Sequence, residues 1–132
     1  MTKGKVTAII SNLISIEVDG PVSQNEICFV SCGEAKLMAE VIKISGTSAS
    51  AQVFESTRGM KLGDAVEFTG SMLEIELGPG LLGKNFDGLQ NDLDKLKGVF
   101  LERGKYNNLT EDKDARYDFT PIAKVGDEVE AG

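Results

Sequence analysis

The residues best suited by type and spacing to do chemistry lie mid-chain, where Gly78-x-x-x-x-Gly83-Lys84 falls one residue short of a phosphate-binding loop. In such a loop, backbone N–H groups cradle the phosphates, the lysine reaches the β- and γ-phosphates, and a following Ser or Thr hydroxyl holds magnesium. Here Asn85 occupies the hydroxyl position, so the metal ligand is missing. A phosphate also needs a helix N-terminus at the Gly-Lys itself. The helix expected here instead begins at Asp87, and antiparallel strands rather than a parallel βαβ unit precede the loop. The glycines are read as a sharp strand-to-helix bend.

The other candidates are weaker. Glu74 and Glu76 share a face, as an acid–base pair would, yet on an alternating strand that face is the solvent side. Asp112-Lys113-Asp114-Ala115 resembles the lysine turn of lipoyl and biotinyl carrier domains. That turn needs a sheet on both sides, and only 17 residues follow Ala115. Ser56-Thr57-Arg58-Gly59 is read as a hairpin loop. Cys28 and Cys32 lie on one predicted strand, their Cα atoms about 13 Å apart, too far for a disulfide. They read as reduced, half-buried thiols of a reducing compartment. The chain has no histidine, which removes Ser-His and Cys-His pairs, histidine bases and most transition-metal sites. No catalytic, cofactor-binding or metal-binding residue is predicted within the 132 residues.

The elements that would have to position any site are mostly strands. Lys5–Ile10, Leu13–Val18, Glu26–Cys32, Lys36–Ile44, Ser48–Phe54, Ala65–Phe68 and Met72–Leu77 carry β-type patterns separated by turn residues. Ile14, Ile16 and Val18 share one face of the second. Met38, Glu40, Ile42 and Ile44 share one face of the fourth, and Leu73, Ile75 and Leu77 one face of the last. Six or seven short strands with no helix between them predict a small closed antiparallel barrel, since closure removes edges that so small a sheet could not protect. Beyond Gly83 the period changes. Leu89, Leu93, Leu96 and Phe100 form one stripe of an amphipathic helix, with Asp87 and Gln90 as a capping box and Gly104 at its end. Residues 105–118 read as a polar linker, and Phe119–Ala123 resumes a strand-like pattern. The predicted organisation is a barrel over 1–77, a Gly-rich bend and connecting helix over 78–104, and a linker leading into a second β-rich unit over 105–132. The ending suggests a truncated chain.

With 14 basic and 21 acidic residues the net charge is −7, and acidic residues outnumber basic ones in both halves. A nucleic-acid backbone or an anionic membrane surface is therefore not an expected partner. No apolar run approaches the roughly 20 residues that span a bilayer, and no signal-peptide core follows Met1. A cytoplasmic location is expected.

Glu76-Leu77-Gly78-Pro79-Gly80-Leu81-Leu82-Gly83, followed by Asp87-Gly88-Leu89-Gln90, closely resembles the end of the N-terminal barrel in the A subunit of V-type and archaeal-type rotary ATPases, the catalytic subunit. Thr2–Lys5, Ala39–Ile42, Gln52–Gly59, Phe100–Gly104 and Lys124–Asp127 also fit, so the resemblance covers essentially the whole chain. After Gln90, Asn91-Asp92-Leu93 departs from the family's usual Arg-Pro-Leu, which suggests a divergent branch, such as a bacterial one.

The resemblance implies a structural segment whose signature and hinge are Glu76, Leu77, Gly78, Pro79, Gly80, Gly83, Asp87, Gly88 and Gln90. It implies a barrel that joins those of neighbouring B subunits in an alternating A3B3 ring, within a soluble sector peripheral to a membrane. The start of an insertion, or bulge, domain would come next. Mg-ATP or ADP would be bound by the full-length subunit, through residues beyond 132. The competing expectation is a free-standing β-barrel protein-interaction module.

Overall fold

The computed structural model describes residues 1–75, 77–95, 103–104, 116 and 118–130 of the 132. Six strands form a closed antiparallel barrel: β1 (Lys3–Ile10), β2 (Leu13–Val18), β3 (Ile27–Cys32), β4 (Ala35–Ser45), β5 (Ser48–Val53) and β6 (Ala65–Phe68). Around the barrel they run β1-β2-β5-β4-β3-β6, with β6 pairing back onto β1. Two-residue turns at Ser11-Asn12, Gly33-Glu34 and Gly46-Thr47 make the three local hairpins. The remaining ladders, β2–β5, β3–β6 and β6–β1, join segments distant in the chain.

Alternation selects the core. Ile14 and Ile16 of β2, Cys28 and Val30 of β3, Leu37, Ala39 and Val41 of β4, and Val66 and Phe68 of β6 point inward and are buried. Burial of such side chains supplies the main favourable term in folding, about 1.5–3 kcal/mol each. The predicted common face of Met38, Glu40, Ile42 and Ile44 holds on the outside of β4 from Met38 to Ile42 and is broken before Ile44. A bulge between Val41 and Lys43 shifts the register, and Ile42 and Ile44 are left exposed. Met38 lies on the outer face and is nevertheless buried, since the segment after β6 packs over it.

The barrel wall is tight at Gly4. A Cβ there would sit 2.6 Å from Ile16 Cγ2 and 2.7 Å from the Glu17 carbonyl oxygen, so only glycine lets β1 approach β2 this closely.

The predicted seventh strand, Met72–Leu77, is absent among the described residues. Residues 72–75 and 77 have no regular structure, and Met72, Ile75 and Leu77 are largely exposed. The reason is topological: β6 already has β1 and β3 as neighbours, so the closed barrel offers no edge for another strand. The chain instead bends at Thr69–Ser71, where Thr69 N–H donates to the Ile27 carbonyl (3.0 Å) and Ile27 N–H to the Ser71 carbonyl (2.9 Å).

Among the described residues from Gly83 to Lys95 the predicted connecting helix likewise does not form. The regular structure over the bend and this stretch is a 3₁₀ turn at Pro79–Leu81 and another at Leu93–Lys95, and residues 96–102, with Leu96 and Phe100, lie outside the described residues. The strand-like pattern at Phe119–Ala123 forms no strand, and Phe119 and Ile122 are exposed.

Candidate functional site

Within Gly78–Lys84, three backbone N–H groups are bonded inside the stretch itself. Gly78 is extended, Pro79 occupies the first position of the 3₁₀ turn, and no side chain caps it. Leu81 N–H donates to the Gly78 carbonyl (3.1 Å), Leu82 N–H to Pro79 (3.1 Å) and Lys84 N–H to Leu81 (3.3 Å). A phosphate cradle requires such amides to converge on an anion; here they are spent on carbonyls inside the turn. Gly80 lies within the turn, and Gly83 comes after it at positive φ.

The Lys84 ammonium lies 3.9 Å from Asp92 Oδ2, which also faces Lys95 Nζ at 3.6 Å. Asp92 is 2% exposed, and its Oδ1 accepts the Asp94 N–H at 3.1 Å. The lysine that would serve a nucleotide thus neutralises a buried carboxylate, while its partner Oδ2 has no hydrogen bond among the described residues.

Asp87 organises the next loop. Its Oδ1 accepts the N–H groups of Leu89 (2.9 Å) and Asn91 (2.8 Å), and its Oδ2 accepts the Asn91 side-chain amide (2.8 Å). Gln90 sits at φ +63° and donates its N–H to the Asp87 carbonyl. This corrects the predicted capping box. Asp87 does cap orphan N–H groups, but those of a closed loop rather than of a helix, and Gln90 in the left-handed region cannot belong to a first helical turn. Partial burial would raise the Asp87 pKa, but the hydrogen bonds from the Asn91 side chain and from the Asn91 and Leu89 backbone outweigh it and hold the carboxyl below its ordinary value. Gly88 lies in the turn itself, and Leu77 is exposed before the bend. Glu76 lies outside the described residues, as does Asp112–Ala115. Glu74 is exposed, as expected of a solvent-side carboxylate.

Several structural residues carried no local signal. Glu26, 5% exposed, accepts the Ser23 N–H through Oε2 and the Gly70 N–H through Oε1, both at 2.8 Å. It therefore ties the end of β6 to the start of β3. Cys28 and Cys32 are free thiols. Burial, with the Glu26 charge adding to it, pushes the Cys28 pKa up to about 12, so that thiol stays protonated. At the other end of β3, Cys32 Sγ accepts from Arg103 Nη2 at 3.2 Å.

Two clefts lie outside the barrel. One of about 470 Å³ is walled by Ile27, Phe29 and Met38 on one side and by residues 71–75, Leu89 and Gln90 on the other. The second, about 600 Å³, lies along β2, β1 and β6, where Lys3 and Lys5 stand among Glu17, Asp19 and Glu67. With both signs present, it is not built for a simple anion. On the same outer surface Lys36 donates to Glu67 at 2.8 Å, which lowers the Glu67 pKa.

The site is thus a small closed barrel with its interior filled by side chains, leading into a Gly-Pro-Gly bend bonded to itself. Residues 6–70 match the beta-barrel domain of the ATP synthase alpha/beta family. The barrel belongs to that family. The similarity continues past it: the chain is 54% identical to a V-type ATP synthase alpha chain from Treponema denticola, with 96% of this chain and 22% of the relative covered. It is 52% identical to those of Borreliella afzelii and Borreliella burgdorferi, in each case over 99% of this chain and 23% of the relative. The chain therefore spans less than a quarter of the length of the curated relatives it matches. Among the described residues, no helix is long and apolar enough to cross a membrane.

Proposed function

We propose that this chain is the N-terminal, ring-building segment of the catalytic A subunit of a V/A-type rotary ATPase or ATP synthase, which couples ATP turnover to H⁺ or Na⁺ transport. The observation that carries the proposal is identity of 50% or more to V-type ATP synthase alpha chains along 96–99% of this chain, together with the family's barrel at residues 6–70. The segment itself is structural. Its barrel packs beside those of B subunits in an alternating A3B3 ring, peripheral to the membrane, and Mg-ATP or ADP is bound by residues outside these 132. The engagement of Lys84 by Asp92 and the internal bonding of the Leu81, Leu82 and Lys84 amides support a non-catalytic role. The stretch from Leu77 to Gln90 serves as the hinge between the barrel and the downstream chain.

The test combines assembly and chemistry. The whole subunit, mixed with its B-type partner, is expected to give an alternating hexamer by native mass spectrometry and to hydrolyse Mg-ATP. The 132-residue chain alone is expected to show no hydrolysis and no heat of Mg-ATP binding at micromolar concentration. Tight Mg-ATP binding by the short chain, or a subunit that ignores the B-type partner, would overturn the proposal.

A further inference from the structure

The chain runs out of β6 toward Gly70 and lies over the outer face near Met38 with residues 71–75, Leu89 and Gln90; Arg103-Gly104 then meet the barrel at another place, and this contact is closely determined. Gly104 N–H points at the Glu55 carboxylate, 3.0 Å from Oε2 and 3.3 Å from Oε1. Arg103 Nη2 donates to Cys32 Sγ at 3.2 Å. Gly104 itself sits at φ +71°, where a Cβ would lie 2.8 Å from Ala35 Cβ and 3.4 Å from both Ala35 Cα and the Lys36 carbonyl oxygen. Two consecutive residues thus meet the end of β3, the start of β4 and the residue after Phe54 at a single rim of the barrel. The exit at Gly70 is held by another carboxylate, that of buried Glu26, just before β3 begins. Because β3 rises about 3.3 Å per residue, exit and return lie at opposite ends of the barrel, about 20 Å apart.

From this geometry we infer that Arg103 and Gly104 form a clasp on the barrel rim that fixes where the chain departs from the barrel, independently of the Gly78–Gln90 bend. The clasp demands glycine at 104 for two reasons, the left-handed backbone and the approach to Ala35. It uses Glu55 as the acceptor for an amide that would otherwise lie unpaired against the barrel. A pull on the downstream chain is taken up at this rim before it reaches the loop around Asp87. The clasp itself rests on these contacts alone and not on the proposed ring assembly.

Residue-resolved hydrogen exchange on the intact protein tests the clasp, with trypsin cleavage after Arg103 as a second readout. The Gly104 amide is expected to exchange at least tenfold more slowly than an unprotected glycine. Glu55→Ala is expected to accelerate it at least tenfold and to speed trypsin cleavage after Arg103, while the β3 and β4 amides change less than twofold. Glu55→Gln, which keeps an acceptor oxygen, is expected to retain protection. Arg103→Ala is expected to raise Gly104 exchange in the same way. Random-coil exchange at Gly104 in the unaltered protein, or no change in Glu55→Ala, would overturn the clasp. So would acceleration spread equally over β3 and β4, since Glu55 would then be holding the barrel and not the returning chain.

Discussion

Asp87 shows how a single carboxylate can hold a loop without a helix. Three donors converge on it, and Asp87→Ala strands them, at a cost of about 1–3 kcal/mol for a buried donor left unsatisfied. The expected result is loss of exchange protection at Leu89 and Asn91 with the barrel intact. The pH dependence comes from the direction of the shift. The folded pKa lies below the ordinary value near 3.8, so the contribution is present above that value and fades as pH falls through the lower folded value. The protection of the Asn91 amide, taken as its exchange rate relative to the intrinsic rate at the same pH and followed from about pH 6 to about pH 2, is expected to hold through about pH 4 and fall only below it; a loss of protection beginning at about pH 5 would contradict this. Cys28 gives a second prediction at this scale. A thiol with a pKa of about 12 is overwhelmingly protonated and therefore a poor nucleophile at about pH 8. Alkylation of the native protein at that pH, mapped by mass spectrometry, is expected to leave Cys28 unmodified until the barrel unfolds. Asp92 was not legible at this scale. By sequence it reads as an acid near the start of the predicted helix, favourable to the helix dipole; in the structure it is buried, with Lys84 and Lys95 facing it.

Among the elements, the tightest constraint is the β1–β2 crossing. Gly4→Ala places a methyl against Ile16 and against the Glu17 backbone, and backbone cannot move aside as a flexible side chain can. Overpacking of this kind costs about 1–3 kcal/mol, to be read as a lower urea midpoint with unchanged slope. The junction of β6 and β3 depends on Glu26. Glu26→Ala leaves the Ser23 and Gly70 amides without their acceptor, with an expected loss of about 2 kcal/mol or more and faster exchange at Gly70 before any global unfolding. The strands themselves were legible in advance, because alternation and turn residues are local: Leu13–Val18 and Ala65–Phe68 match their predicted bounds. Met72–Leu77 shows the same alternation, and its described residues form no strand. A pattern can prepare a segment for pairing, but a ladder needs a free neighbour, and closure had removed every edge.

For the whole molecule, closure makes the barrel one cooperative unit, because each strand is held on both sides. Phe68 is the largest fully buried side chain, 1% exposed, and it packs where β6 completes the ring. Phe68→Ala is expected to cost about 3–5 kcal/mol, a large share of the roughly 5–15 kcal/mol typical of a domain. The loss should appear as a single transition at lower temperature, not as a separate early melting of β6. Which apolar surface stays exposed is decided at this scale as well. The segment after β6 lies over the outer face of β3 and β4 near Ile27, Phe29 and Met38, while Ile10 and Leu13 on β1 and β2 remain exposed.

The sequence by itself determined the β character, the hairpin turns, the alternating core and the kinship carried by Glu76–Gln90, since all of these are written in residues a few positions apart. Tertiary structure decided the strand order, the loss of a seventh strand, and the roles of Glu26, Glu55, Asp92 and Arg103. Glu26, Glu55 and Arg103 depend on partners distant in the chain, up to 71 residues apart, and Asp92 on a loop conformation that folds Lys84 and Lys95 toward it; spacing along the chain carries no record of either. Gly78–Lys84 lies on the border between the two. Its missing hydroxyl spoke against a nucleotide site from the start, but only the folded chain shows the Leu81, Leu82 and Lys84 amides bonded within the turn and the lysine facing Asp92.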